Sequence, residues 1–389
     1  MVDNVLILDT ECTILDMGNP FHPDNKMCVV SLKFIGEPAE VIDVDYSSSH
    51  PVGDALRAVR RAVDRASRVV AFNAKFDLHW LRRYGIQVDK PIWCCQLFEF
   101  VHEGQTEPYP SLEGCLSKYG LGVKYTDIAT EYWNKGINTD LIPWDILETR
   151  ARLDVEQTEA LYLLQQKQLA EHSEAFQRLV KVEMLDLVTL EEMEWNGIPF
   201  DRERAIVEEQ KAKQELEALN ARLAQLFPDV PINWNSTYQR SAALYGGNVS
   251  WKEREEVGVY KTGEKAGQPR YRIIHKEVSL GRLAKPDDRQ KLATEGYWST
   301  DAAALSTCKP NKRGQELVEI LKKRQDLEKL VGTYYSGLQK RINEMKWDDN
   351  IIHGQYNQVV AVTGRLSSSG PNMQNQPDLA KLLFITRYQ

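Results

Sequence analysis

The sequence predicts an α/β domain built on a mixed sheet, in βββαβα order, followed by a mainly helical segment. Three observations carry this. Short β-branched runs open the chain, separated by Gly and Pro. The apolar spacing then alternates between helical and strand periods. Beyond Glu174 the apolar residues fall into long stripes at helical spacing.

Val5 to Leu8, Cys28 to Ile35 and Ala39 to Tyr46 read as three strands of a meander. Asp54 to Ser67 carries Leu56, Val59 and Val63 on one helical face, and Val69 to Phe72 reads as a buried fourth strand. A helix is predicted over Trp144 to Gln166, and a longer one from Glu174 to Trp195, ended by Asn196-Gly197. Arg202 to Phe227 has Leu216, Leu219, Leu223 and Leu226 on one stripe and is stopped by Pro228 and Pro231. Leu317 to Val331 makes a further helix. Between Lys252 and Lys291 the composition shifts to Lys and Arg with Gly, Pro and isolated aromatics, which reads as a β-hairpin or an insertion.

The 389 residues suffice for two or three domains. Hydrophobic content of 42% and charged content of 27% belong to a globular chain. No apolar run approaches the roughly 18 residues of a membrane span, and Met1-Val2-Asp3-Asn4 lacks the layout of a signal peptide. The expectation is a cytoplasmic protein without a membrane partner. Six cysteines without C-x-x-C spacing read as reduced, buried thiols. A net charge of -7 means that any nucleic-acid role needs local positive charge.

Asp9-Thr10-Glu11 follows the first strand, and period-two geometry points both acids to one side, where they can converge on a hard divalent cation. Phe72-Asn73-Ala74-Lys75-Phe76-Asp77 ends another strand and opens a helix, and Asp154 lies on the helix beginning at Trp144. In order and spacing these segments resemble the three exonuclease motifs of DEDD-type 3'-5' exonucleases, whose domain is ribonuclease-H-like. In-line phosphodiester hydrolysis needs an activated nucleophile and a stabilised leaving oxygen, which two Mg2+ or Mn2+ ions roughly 3.5–4 Å apart supply. The resemblance implies that Asp9 bridges both ions, that Glu11 and Asp154 complete the nucleophile-side ion, and that Asp77 holds the second, mainly through water. The polymerase branch of this family has a water-orienting tyrosine four residues before the last aspartate. Here that position is Arg150, and Thr149 stands where the other branch has histidine. Three readings of Arg150 stay open: altered assistance to hydrolysis, contact with the scissile phosphate, or a solvated helix residue. His79, Trp80, Cys94 and Cys95 read as packing residues.

Downstream, Met193 to Asp201 and Asn235-Ser236-Thr237-Tyr238-Gln239 precede Lys323-Arg324-Gln325, Lys329 and Thr333-Tyr334. Thr363-Gly364-Arg365-Leu366-Ser367-Ser368 and Pro371-Asn372-Met373-Gln374-Asn375 then close the pattern. Together these resemble the thumb and the thumb-to-palm junction of family A DNA polymerases of phage type. The resemblance implies a 3'-5' exonuclease domain over 1–172, a connecting helix over 173–200, a helical thumb over 201–345 with a basic insertion near 250–292, and the start of a palm over 346–389. It assigns DNA contacts to Asn73, Arg324, Lys329, Thr363, Arg365, Ser367, Asn372, Gln374 and Asn375. In relatives the arginine matching Arg365 reads minor-groove acceptors common to every correct pair. Lys261, Lys265, Arg270, Arg272 and Lys276 are candidate phosphate contacts.

The expected partners are primer-template DNA, a single-stranded 3' end, a C-terminal palm-and-fingers chain if the polymerase is naturally split, and a processivity or replisome factor. The sequence ends short of the family's first nucleotidyl-transfer aspartate, so either truncation or a split polymerase is expected. A split predicts an uncovered apolar edge at Leu379, Leu382, Leu383 and Phe384. The alternative is a non-catalytic DNA-binding and assembly subunit with a degenerate exonuclease site. A stand-alone exonuclease is disfavoured, because it has no use for Thr363 to Asn375. If phage-encoded, the protein belongs in the host cytoplasm.

Overall fold

A computed structural model describes residues 4–47, 51–122 and 128–386. The chain forms two compact units, Met1–Asp201 with Lys340–Gln389, and Arg202–Gln339.

In the first unit, β1 (Val5–Cys12), β2 (Met27–Phe34) and β3 (Glu40–Asp43) form the meander. Helix α1 (Val52–Arg65) leads to β4 (Arg68–Ala71), and α2 (Ala74–Arg83) leads to β5 (Ile92–Cys94). The five strands make one mixed sheet in the order β3-β2-β1-β4-β5. β1 is antiparallel to β2, while β4 is parallel to both β1 and β5. As the central strand, β1 is buried along nearly its whole length, which explains the unbroken apolar run Val5-Leu6-Ile7-Leu8.

Pairing with β2 continues through Glu11↔Val29, so β1 runs to Cys12 rather than ending at Leu8, and the first carboxylates lie inside the strand. β4 pairs only with Val5, Leu6 and Ile7. Among the described residues the second half of β1 therefore pairs with a strand on one side alone.

Helices α3 (Cys95–His102), α4 (Leu112–Tyr119) and α5 (Ile128–Glu131) precede α6 (Trp144–Glu171). α6 buries Leu147, Ala151, Asp154, Val155, Thr158, Leu161, Tyr162 and Gln165, a stripe at helical spacing. Leu147 and Ala151 pack with Cys28 and Val29, and Val155, Leu161 and Tyr162 join the main core. α7 (Glu174–Asn196) buries Val180, Met184, Leu187 and Leu190, and with them Glu191 and Glu194.

Helix α7 ends at Gly197, whose φ of +61° is a backbone region that side chains disfavour. A Cβ there would stand 2.5 Å from Ile351 Cγ2 and 2.7 Å from the Ile352 carbonyl. Strand β6 (Ile198–Pro199) follows.

The second unit contains α8 (Arg202–Leu226), α9 (Thr237–Tyr245), β7 (Gly247–Val259) and β8 (Pro269–Leu280). The short strands β9 (Ala284–Lys285) and β10 (Lys309–Pro310) flank α10 (Ala302–Thr307), and α11 (Lys312–Lys329) follows. Leu223, Leu244, Tyr245, Leu317 and Leu321 share its core. The basic segment is an antiparallel hairpin of β7 and β8, exposed along most of its length.

Within the first unit again, β11 (Ile351–Ile352) pairs with β6, and β12 (Gln355–Asn357) pairs with β13 (Ser367–Ser369). The expected apolar edge is only partly open. Leu383 is fully buried and Phe384 bridges to Phe200, whereas Leu379 and Leu382 are exposed. Among the described residues no helix is long and apolar enough to cross a membrane.

Candidate carboxylate site and polymerase-like segments

The uncovered half of β1 is where the carboxylates gather. Asp9 and Glu11 project from one side of the strand, and Asp154 approaches from the buried stripe of α6. One carboxylate oxygen from each of the three lies within 4.8 Å of the others. Asp77, in the first turn of α2, is not a member of that trio but lines the same cleft. Its Oδ1 accepts the Thr10 amide at 2.9 Å and the Thr10 hydroxyl at 2.8 Å. The Thr10 amide lies in the part of β1 that β4 does not reach, so a carboxylate takes the place of a neighbouring strand.

The cleft has a volume of about 540 Å3 and is also lined by Asn73, Phe76, Trp133, Asn134 and Arg150. Hard oxygen donors converging in this way suit a divalent cation such as Mg2+ or Mn2+. A groove of about 1200 Å3 between α7 and the β5 edge is larger, but none of the candidate residues line it.

Crowding sets the protonation of these groups. Burial, then Asp77, Glu11 and Asp154, hold the Asp9 carboxyl well above the usual range, against the Arg150 charge. Burial pushes Asp77 up to about 7, opposed by its bonds from Thr10. Arg150 is not a solvated helix residue. One turn before Asp154, its side chain is 14% exposed, and its Nε donates to Asp154 Oδ2. Burial disfavours its charge, but Asp154, Glu11 and Asp9 outweigh that and hold its pKa above the ordinary value.

Asn73 caps the start of α2 without a side-chain capping bond and lines the cleft. An adjoining cleft of about 390 Å3 shares Asn73, Phe76 and Met17 and continues to Gln355, Asn357 and Ser369. Beside it, Glu194 is 2% exposed and receives Lys75 Nζ at 2.6 Å, pairs with His79 Nε2 at 2.7 Å, and accepts the Tyr356 amide at 2.5 Å. His79 and Trp80 are buried, as are Cys94 and Cys95.

Sequence reasoning missed the Glu194 network and the part played by Thr10. The signal for Glu194 was present, since it falls on the apolar stripe of α7, where an acid requires partners.

Thr363, Gly364 and Arg365 form an exposed turn between β12 and β13, in which Gly364 has φ +71° and its amide donates to the Ala361 carbonyl. Ser367 is half-buried opposite Asn357. Gln374 and Asn375 are exposed, but the Asn372 side-chain oxygen is committed to their backbone amides, at 3.0 and 3.2 Å. Asn372 thus builds the turn that presents its neighbours.

Arg324, expected at a phosphate-facing surface, is 6% exposed. Its guanidinium binds Asn220 at 3.0 Å, Asn235 at 2.8 Å and Glu328 at 2.9 Å, because α11 turns this position toward the core of its unit. Lys329, at the end of α11, is exposed. In the hairpin Arg272 pairs with Glu255 at 2.6 Å and Lys276 with Glu253 at 2.5 Å, so part of the expected positive charge is neutralised internally. Lys261, Lys265 and Arg270 are exposed.

The first unit is a mixed α/β sheet with a carboxylate cleft and the second is mainly helical with one long hairpin, and comparison with known proteins shows what such a chain is similar to. The family model for DNA polymerase family A matches residues 275–386. The DNA polymerase of Bacillus phage SP01 is 26% identical over 351 residues, 84% of this chain and 36% of that protein. DNA polymerase I of Synechocystis sp. is 25% identical over 309 residues, 78% of this chain and 26% of that protein. DNA polymerase I of Pseudomonas aeruginosa is 30% identical over 178 residues, 42% of this chain and 18% of that protein. The structure of the POL domain of Pol1 from M. smegmatis, in complex with DNA primer-template and dNTP, superposes with a TM-score of 0.62 at 17% identity, covering 97% of this chain and 53% of that one. Over these spans the chain is similar to family A DNA polymerases. It spans 36% and 26% of the lengths of the phage and cyanobacterial proteins.

Proposed function

We propose that this chain supplies the 3'-5' proofreading exonuclease and the primer-template-holding part of a family A DNA polymerase. The carrying observation is the convergence of Asp9, Glu11 and Asp154 within 4.8 Å, in a chain whose residues 275–386 match the polymerase family. In this reading residues 1–172 are the ribonuclease-H-like exonuclease domain, 173–200 the connecting helix, 201–345 the thumb and 346–389 the start of the palm.

Asp9, Glu11, Asp77 and Asp154 would hold divalent cations. Such ions lower the barrier to hydrolysis by activating water and stabilising the departing 3' oxygen. The residues of this chain do the rest. Thr10 fixes Asp77 through two hydrogen bonds, so that its carboxylate faces the cleft in one orientation. Asn73 sits between the two adjoining clefts, where its amide can hold the single strand whose 3' end reaches the carboxylates. Arg365, at the tip of its exposed turn, can reach minor-groove acceptors of the terminal pair, with Thr363, Gln374 and Asn375 nearby in sequence. Lys329 offers a phosphate contact without disturbing packing.

The test is shortening of 5'-labelled single-stranded and mispaired primer DNA with Mg2+ or Mn2+, comparing the chain with Asp9→Ala. Metal-dependent shortening from the 3' end that the variant lacks supports the reading, and full-length primer remaining in both sinks it.

One observation favours a second reading. The pair of Arg150 with Asp154 places a cation among the carboxylates, as a degenerate site serving as a scaffold in a DNA-binding assembly subunit would have. In that case neither protein shortens the primer, yet both bind primer-template DNA.

A further inference from the structure

Asp154 does not face the cleft as a simple ligand. It is paired with a guanidinium that shares the cavity with Asp9, Glu11 and Asp77. Helix spacing fixes the pair, because Arg150 and Asp154 lie one turn apart on α6. Both are largely withdrawn from solvent, with side-chain exposures of 14% and 8%, so water screens their charges weakly. The guanidinium remains ionised at any working pH, and its planar fork is geometrically suited to holding a carboxylate oxygen.

We propose that Arg150 is a resident cation of the carboxylate cluster that takes the electrostatic place of the divalent ion that would use Asp154, so that the cluster loads a single divalent cation, held by Asp9 without Asp154. This inference rests on the exonuclease reading of the site and changes its ion count. A dication ligated by Asp154 would have to displace the Nε of Arg150 from Asp154 Oδ2 while entering beside a fixed positive charge, whereas one held by Asp9 and Asp77 would leave that pair intact. A charge within about 4–6 Å alters the ionic equilibrium of a neighbour by about tenfold to a thousandfold. The ion that needs Asp154 is therefore expected to bind about tenfold more weakly than it would without Arg150.

The structure also explains how the pair can persist. The cleft gathers four carboxylates, Asp9, Glu11, Asp77 and Asp154, and their mutual repulsion favours an internal counter-charge whether or not an ion is present. Arg150 is thus a positioning residue. It acts on the ions through Asp154.

The experiment is calorimetric titration of Mn2+ alone into the intact chain and into Arg150→Gln, Arg150→Lys and Asp9→Asn, with near-ultraviolet circular dichroism to verify folding. The expected result is one Mn2+ for the wild type and for Arg150→Lys, and a second Mn2+, bound about tenfold or more tightly than in the wild type, for Arg150→Gln. Equal stoichiometry and affinity in wild type and Arg150→Gln, with binding lost in Asp9→Asn, overturns the proposal and leaves the metal-site reading standing. Equal Mn2+ uptake by Asp9→Asn and wild type, or uptake by no variant, overturns both. A second Mn2+ in Arg150→Lys also overturns the proposal, since the positive charge is then not what excludes it.

Discussion

Glu194→Ala should be among the most destabilising single changes in the first unit. The carboxylate is 2% exposed and receives Lys75 at 2.6 Å, His79 at 2.7 Å and the Tyr356 amide at 2.5 Å. It thereby joins α2, α7 and β12, with Lys75 also donating to the Tyr356 carbonyl while His79 Nε2 and the Tyr356 amide depend on Glu194. A hydrogen bond to a charged group contributes about 1.5–3 kcal/mol, but removing the shared acceptor leaves several donors stranded together, so the costs are not additive. Breaking a buried ion pair costs about 3–5 kcal/mol. The 16% exposure of the Lys75 side chain allows it partial rehydration, which places the expectation near the lower end, at about 3 kcal/mol.

The control is Glu192→Ala on the same helix. That carboxylate is half exposed and pairs with Arg82, a surface contact worth under about 1 kcal/mol. Thermal unfolding by circular dichroism at pH 7.5 is the assay. The interaction with its partners lowers the Glu194 pKa against the effect of burial. Its contribution is therefore complete above the ordinary glutamate range and fades as pH falls through the lowered folded value, so the gap between Glu194→Ala and wild type should narrow in acid. A loss no larger than that of Glu192→Ala, or a gap independent of pH, refutes the reasoning.

Asp77→Asn should stabilise the metal-free chain in EDTA. With its carboxyl pushed up to about 7, the native state holds more protons than the unfolded chain between about pH 4 and pH 7, and stability falls as pH rises through that window. The amide can still accept from Thr10, so the gain in unfolding free energy should be about 2–3 kcal/mol larger at pH 8 than at pH 5, and a gain independent of pH would contradict this. Gly197→Ala should lose about 2–4 kcal/mol, because the added Cβ meets φ +61° and an atom of Ile351 at 2.5 Å; a melt unchanged from wild type would remove the claim of close approach. Arg324→Ala should lower stability by about 1–2 kcal/mol, because the bonds of the buried guanidinium to Asn220, Asn235 and Glu328 are lost while these partners turn to water. Lys329→Ala should leave the melt unchanged and reduce the salt slope of DNA binding by about 1, so fluorescence anisotropy in a salt series separates the two residues.

Alternation and helical period were enough to read the order of the first elements and their helical successors, because an amphipathic surface repeats over many residues and a single misfit does not hide it. The ends were less legible. β1 was read as stopping at Leu8, since Asp and Glu are poor strand formers, yet pairing to β2 carries it to Cys12. Asp9, Glu11, Asp77 and Asp154 are legible only through the order and spacing of three segments taken together, since an Asp-x-Glu at a strand end is by itself a common solvated turn. Arg324 did not betray itself. On the sequence it is one cation in the run Lys322-Lys323-Arg324, and only the rotation of α11 about its axis decides which of them faces inward. Arg150 was visible as a departure from a pattern, but its pairing with Asp154 is a matter of rotamer and burial, which periodicity does not encode.

The short length of β4 has a consequence for how this chain can change. Because β4 pairs only with Val5, Leu6 and Ile7, the segment from Val70 to Asp77 acts as a ruler that delivers one carboxylate to the open flank of β1. An insertion in the Phe72–Asn73 turn would displace Asp77 from Thr10 and dismantle the cluster while leaving every acid in the sequence intact. The turn at Gly36, between β2 and β3, measures nothing comparable. Length drift should therefore be tolerated there and not at Phe72–Asn73.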